Sequence, residues 1–253
     1  MAEAIDPTRV LATDLDGTLL RSDGTVSDTT RRALDAVWAA GIVTVFVTAR
    51  PPRWLDHLID VVGDHGIVVC GNGAFVYDVP QRRVITERGF DADHLLPLVR
   101  DLRAAVPGIE LAAERADGMG RDPESSDSSH PVGKLLGWSG EVDAPEFHRL
   151  VTDVVEDRAE IGFSGVHGLA EMTAPGITKA SGLAAWCLER GFRAAEVWAC
   201  GDMPNDLPML RWAGRAFAVA NAHSEVLATA DEVIGSNDDD GVASVLRRLA
   251  DGR

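Results

Sequence analysis

Short apolar runs rich in β-branched residues alternate along most of this chain with segments of helical period, and that alternation admits few folds. Residues 10–13, 42–48, 67–70, 196–200, 216–220 and 231–234 read as strands. Between them, Ser27 caps a helix with Leu34, Val37 and Trp38 on one face, stopped by Gly41. Pro51 and Pro52 open another, with an inner stripe of Trp54, Leu55, Leu58, Ile59 and Val62. Further helices are expected from Thr178 to Arg190, up to Ala213, from Ser224, and from Gly241 to Ala250. Such an order predicts a parallel sheet wrapped by helices, a doubly wound Rossmann-like α/β core.

The pattern breaks in the middle of the chain. A hairpin over 75–77 and 83–86 is followed by a helix carrying Leu95, Leu96, Val99, Leu102 and Val106 in register. Strands at 109–114 and 134–138, a helix with Phe147, Leu150, Val151, Val154 and Val155, and strands at 161–165 and 169–173 complete an αββαββ block. Segregated strands and helices predict an inserted antiparallel α+β domain over residues 87–172, with the core formed by 1–86 and 173–253. The segment 117–130 (DGMGRDPESSDSSH) reads as a solvated loop, with substrate contact as the alternative.

The chain has 253 residues and a formal charge of −16, which repels nucleic acid and anionic membranes. No stretch approaches the ~20 apolar residues of a membrane span, and the N-terminal residues 1–9 contain no apolar signal core. Three cysteines without metal-ligand spacing, Cys70, Cys187 and Cys200, fit a reduced, cytoplasmic setting. Cys70 and Cys200 read as buried apolar residues, and His65, His130, His167 and His223 as surface or loop residues. Trp38, Trp54 and Trp186 fit helix core stripes, and nothing in the sequence sets the oligomeric state.

Open α/β sheets bind ligands at the carboxyl ends of their strands, so those ends carry the chemistry. The first strand ends in Asp14-Leu15-Asp16-Gly17-Thr18, two carboxylates before a turn-permissive glycine. The second ends in Thr48-Ala49-Arg50, the third in Gly71-Asn72-Gly73, and the strand before residue 201 in Asp202-Met203-Pro204-Asn205-Asp206. Lys179, one of only two lysines, opens a helix directly after the insertion. Acidic groups crowded on one sheet edge repel one another unless a cation is present. Oxygen ligands without neighbouring His or Cys select Mg2+, which takes one or two carboxylates with substrate phosphate and waters. The bland readings are turn or cap roles for Asn72 and Asp206, a structural ion pair at the helix start for Arg50, and a helix start for Met203-Pro204.

DLDGT at 14–18, Thr48, Lys179 within GITKASGL, GDMPND at 201–206, LPML at 207–210, AVANA at 218–222 and NDDDGVA at 237–243 follow one another as in a known family. Over essentially its whole length the chain resembles a haloacid dehalogenase superfamily phosphatase of the Cof-type branch with a C2 cap. The resemblance implies that Asp14 is the nucleophile forming an aspartyl-phosphate and that Asp16 is the general acid and base. It implies Mg2+ on Asp14, the Asp16 backbone carbonyl and Asp202, with Thr48 and Lys179 on the phosphoryl oxygens. Asn205 and Asp206 would orient Lys179 and metal-bound water, with Asn205 also at the phosphate. Asn72 and Gly73 match a turn facing the phosphate or the cap. Met119, Arg121 and Lys134 are candidate cap contacts to substrate. The implied substrate is a small phosphorylated metabolite, with a sugar phosphate or related monoester as the expectation. A phosphomutase of related fold is one alternative. The other is a non-enzymatic phosphometabolite-binding protein, which would show a damaged motif, whereas Asp14, Asp16, Thr48, Lys179 and Asp202 are all present.

Overall fold

The computed structural model describes residues 8–55, 58, 63, 65–125, 128–162 and 168–252. Ile59, Val62, His167 and residues 163–165 of the strand expected at 161–165 lie outside that set.

Thirteen strands among the described residues form two sheets. The larger has eight strands, in the order β13-β12-β11-β1-β2-β3-β4-β5. Its parallel part comprises β1 (Val10–Asp14), β2 (Val43–Val47), β3 (Ile67–Cys70), β11 (Val197–Gly201), β12 (Arg215–Val219) and β13 (Glu232–Ile234). The hairpin of β4 (Phe75–Asp78) and β5 (Arg83–Glu87) adds antiparallel strands beyond β3. Every residue of β1 is buried, as a central strand covered on both faces must be.

Strand order sets the position of the site. β1 pairs with β2 on one side and β11 on the other, Thr13 lying opposite both Phe46 and Cys200. The chain winds outward through β2 and β3, then returns through β11, β12 and β13. The crevice at the ends of β1 and β11 is therefore the topological switch point, where α/β sheets bind ligands. Asp14 ends one of these strands and Asp202 follows the other.

Around this sheet lie α1 (Asp28–Ala39), α4 (Lys179–Glu189), α5 (Leu207–Trp212), α6 (Ser224–Thr229) and α7 (Gly241–Ala250), with α1 packed on α7 and α4 on α5. Ser27 caps α1 by accepting from the Thr30 N–H, as its sequence position predicts. After Pro51, where the sequence predicts a helix, the described residues show a 3-10 turn, Pro52–Trp54, and a helical, buried Leu58; residues 56, 57, 59–62 and 64 lie outside the described set.

The insertion holds a five-stranded antiparallel sheet, ordered β7-β6-β8-β10-β9. It comprises β6 (Ile109–Arg115), β7 (Gly118–Gly120), β8 (Lys134–Ser139), β9 (Glu160–Gly162) and β10 (Leu169–Thr173), with α2 (Ala92–Ala105) and α3 (Ala144–Val155) packed together beside it. The αββαββ order stands, with one addition. Strand β7 forms inside the segment expected to be only a loop, its Met119 opposite Glu114. Buried Arg115 then gathers that loop, donating to the carbonyls of Pro123, Ser125 and His130. The tryptophans divide: Trp186 is buried, but Trp38 and Trp54 are about half exposed, against the core stripes expected for them. Trp38 stacks on His65, and Trp54 lies beneath the Arg53 guanidinium.

Candidate active site

Two turns and a helix start build the site. After β1, Gly17 takes a φ of +82° that side chains disfavour, and a Cβ there would lie 2.5 Å from the Asp202 carboxylate. That close approach lets Thr18 Oγ1 donate to Asp202 Oδ1 at 2.7 Å, tying the β1 turn to the end of β11. Asp206 accepts from the N–H groups of Asp202 and Met203, both at 3.1 Å, which closes the 202–206 turn. Thr178 and Ser181 form a capping box that sets the first turn of α4, placing Lys179 at its start.

Lys179 Nζ reaches Asp14 Oδ1 at 2.6 Å and Asp206 Oδ1 at 2.7 Å, with all three side chains buried. Carboxylate oxygens of Asp14, Asp202 and Asp206 lie within 4.8 Å of one another. Fully ionised, three carboxylates against one ammonium leave two negative charges in a buried space. Burial pushes the Asp14 carboxyl well above its usual range, with Asp206 and Asp202 adding to the shift and Lys179 opposing it. Burial likewise raises Asp202 to about 6, with Asp206 reinforcing the shift while the Thr18 hydrogen bond and Lys179 oppose it. Burial acts to lower the Lys179 pKa, but Asp14 and Asp206 together hold it above the ordinary lysine value.

A hard divalent cation fits this arrangement. The donors are oxygens, no His or Cys among the described residues joins the cluster, and the unbalanced charge is that of one Mg2+. Asp206 is already engaged by Lys179 and two backbone amides, which leaves Asp14 and Asp202 as the carboxylates with capacity for an ion.

Asp14, Asp16, Thr48, Lys179 and Asn205 line one cleft of about 390 Å³, together with Arg50, Trp54 and Glu171. Arg50 grips Asp16 through two bonds, Nε to Oδ2 at 2.9 Å and Nη2 to Oδ1 at 2.5 Å. The ion pair expected for Arg50 therefore exists, with the implied acid/base residue as its partner.

The family model for haloacid dehalogenase-like hydrolases matches residues 11–131 and 117–246. The chain belongs to that family. Along nearly its full length the hydrolase is 27% identical to the putative phosphatase YxeH of Bacillus subtilis, covering 95% of this chain and 98% of that protein. It is 26% identical to the Bacillus subtilis 5-amino-6-(5-phospho-D-ribitylamino)uracil phosphatase YcsE (94% of each chain) and 26% to the Escherichia coli pyridoxal phosphate phosphatase YbhA (94% and 97%). The fold matches a haloacid dehalogenase-like hydrolase from Bacillus subtilis at a TM-score of 0.81, with 21% identity over 96% of this chain and all of that one. BT1666 from Bacteroides thetaiotaomicron matches at 0.80, with 24% identity over 96% and 95%.

The remaining expected site residues of the hydrolase lie elsewhere. Gly73 packs beneath α4, where a Cβ would stand 2.1 Å from the Thr178 carbonyl, so it permits the close seating of the Lys179 turn and does not line the cleft. Asn72 turns toward the insertion, donating from Nδ2 to Glu171 at 3.3 Å. Met119 and Arg121 line a separate surface depression of about 340 Å³. Lys134 does not line the cleft either; its ammonium donates to Glu171 at 2.6 Å and to the Ala49 carbonyl at 2.8 Å. Cys70, Cys187 and Cys200 are free and buried, while His130 contacts Glu87 and His223 caps α6.

Sequence reasoning passed over Glu171 and gave Met203 no role, yet both line the cleft of the hydrolase. It also missed the seam between insertion and core, where Arg53 forks onto buried Glu114 at 2.7 and 3.1 Å. Removing the guanidinium strands a buried carboxylate. Arg53→Ala is expected to cost about 2 kcal/mol in urea unfolding, and an unchanged midpoint would contradict a stabilising seam.

Proposed function

We propose that the hydrolase is a Mg2+-dependent phosphatase that cleaves a small phosphomonoester through an aspartyl-phosphate on Asp14. The observation that carries this reading is the buried Lys179 ammonium bridging Asp14 and Asp206, with Asp202 alongside. Relatives spanning almost the whole chain are named phosphatases of a ribitylaminouracil phosphate and of pyridoxal phosphate, which supports a small phosphorylated metabolite as substrate.

In the first step an Asp14 oxygen attacks phosphorus while the ester P–O bond breaks, and the leaving oxygen takes a proton from Asp16. In the second, Asp16 takes a proton from water as that water attacks phosphorus, breaking the bond to Asp14 and freeing inorganic phosphate. Lys179 and Thr48 hold phosphoryl oxygens, balancing charge that spreads in the transition state. Asp206 keeps Lys179 aimed, and Asn205 lies beside it at the wall of the cleft. Bound Mg2+, held by Asp14, the Asp16 carbonyl and Asp202, would supply the positive charge that offsets the carboxylates and the phosphoryl oxygens. Residues 87–172 act in this reading as a cap, with 1–86 and 173–253 as the catalytic core. The cap closes over the cleft through Glu171, Lys134 and Glu114, excluding water from the reaction. No helix among the described residues is long and apolar enough to cross a membrane. Three free buried cysteines support a reducing, cytoplasmic setting.

Phosphate release measured over a panel of phosphorylated metabolites tests the proposal, with and without chelator. Asp14→Asn is expected to lower turnover by at least about 10³-fold. Activity that survives in that variant, or that chelation leaves unchanged, would refute the mechanism.

A further inference from the structure

The runs AVANA at 218–222 and NDDDGVA at 237–243 supply no step of the chemistry above, yet side chains from both reach the turn that carries Asp16. That turn needs support. The Asp16 side chain is 57% exposed, and Gly17 beside it takes a positive φ, the conformation of a residue without a Cβ. Packing therefore does little to fix where the carboxyl stands. On one side the Arg50 fork holds it.

From the other side the turn is held by Asn221, between β12 and α6. Its Nδ2 donates to the Gly17 carbonyl at 2.8 Å, and its Oδ1 accepts from the Asn237 N–H at 3.0 Å. Asn237, between β13 and α7, is buried and donates from Nδ2 to the Leu20 carbonyl at 2.9 Å. Leu20 in turn forms a backbone bridge with Asp16. The two amides thus grip the carbonyls of Gly17 and Leu20, on either side of the Thr18 that bonds to Asp202. The loop bearing Asn221 is itself fastened, because the His223 N–H donates to the Asp202 carbonyl at 2.8 Å. An asparagine that only satisfies a turn bonds within its own loop. Both bonds of Asn221 go to other segments, and they use a donor and an acceptor together, which an aspartate carboxylate cannot supply.

We propose that Asn221 is a positioning residue for the acid/base. Through the Gly17 carbonyl, and braced by Asn237, it holds the turn so that Asp16 meets the leaving oxygen. The proposal deepens the phosphatase reading and rests on it. Asp238, by contrast, fastens the same C-terminal loop only at its exposed end, accepting from the Ser22 N–H and hydroxyl at 2.9 and 2.7 Å.

The test compares kcat/KM of the full chain, at saturating Mg2+, for p-nitrophenyl phosphate and for alkyl monoesters of the metabolite panel. This parameter reads the step in which the ester bond breaks. A departing alkoxide needs the Asp16 proton, whereas nitrophenolate leaves without one. Asn221→Asp keeps the acceptor for Asn237 but sets a carboxylate oxygen against the Gly17 carbonyl. Its added charge acts on both esters alike and cancels in their ratio. The alkyl-to-aryl ratio is expected to fall about tenfold, a part of the roughly 10²–10⁴-fold that a general acid supplies. Asn221→Ala, which adds no charge, should lower the ratio as well, and Asp238→Ala should leave it unchanged. A ratio unaltered in the Asn221 variants, or lowered equally by Asp238→Ala, would overturn the proposal and leave the phosphatase reading standing. A wild type that hydrolyses none of these esters would sink both.

Discussion

Replacing Lys179 with methionine is expected to cost the metal-free protein about 3–5 kcal/mol of stability at pH 8, because it breaks a buried pair and leaves its partners uncompensated. Lys179 is 4% exposed, and its ammonium lies 2.6 and 2.7 Å from two buried carboxylates. The loss should shrink on acidification. Asp14 and Asp202 already have raised pKa values in the fold, and removal of their cation raises them further. A carboxyl with a raised folded value binds its proton more tightly folded than unfolded, so stability is lost as pH rises from the unfolded value through the folded one. The deficit of the variant should therefore be small near pH 4 and largest above pH 7. Urea unfolding in chelator at several pH values reads it directly, and a deficit independent of pH would contradict the account. Turnover should fall about 10²–10³-fold, as when a preorganised donor to the phosphoryl group is removed.

Asp202→Asn should have the opposite effect on stability while abolishing function. Burial and Asp206 hold the Asp202 pKa at about 6 against the ordinary carboxylate value of 3.8, so its charge is a liability to the metal-free fold above pH 6. The neutral amide removes that liability and can still accept from the Thr18 hydroxyl. The expected gain is about 1–2 kcal/mol at pH 8, fading as pH falls from 6 towards 4 and gone by about pH 3, where Asp202 is protonated in folded and unfolded chains alike. Wild-type protein should in turn be stabilised by Mg2+ through mass action, by about 2.7 kcal/mol at a hundredfold excess over Kd. The variant should lose that response together with its phosphatase activity. Thermal melts at pH 4, 6 and 8, with and without Mg2+, separate the effects. A variant that melts below the wild type at pH 8 without metal would contradict the electrostatic reading.

The residues legible in the sequence were those whose chemistry is set where a strand ends. Asp14, Thr48 and Asp202 follow apolar runs that could only be buried strands, and the switch point of the sheet brings Asp14 and Asp202 together. Lys179 stood out because lysine is scarce here, although its role came from family resemblance. Lys134 is equally conspicuous in the sequence, which makes it a candidate substrate contact. Its true partners, Glu171 on β10 and the Ala49 carbonyl, come from chain segments that meet only in three dimensions. Glu171 gave no signal, because one carboxylate in the run LAEMT does not reveal which way its strand faces. Periodicity also misjudged Trp38 and Trp54. A stripe says which side chains share a face, not whether another element covers it, and both remain about half exposed.

The central claim is that Asp14 itself carries the phosphoryl group between substrate and water. Asp16→Asn removes the acid of the first step as well as the base of the second; with an aryl phosphate, whose leaving group needs no proton, only the second step slows, so acid quenching of this variant shortly after mixing should trap the intermediate. Peptide mass spectrometry should then find one added phosphoryl group on the peptide containing Asp14, labile to hydroxylamine and absent when Asp14 is also changed to Asn. A phosphoryl group on any other residue, or none while the wild type turns over the same ester, would contradict the account.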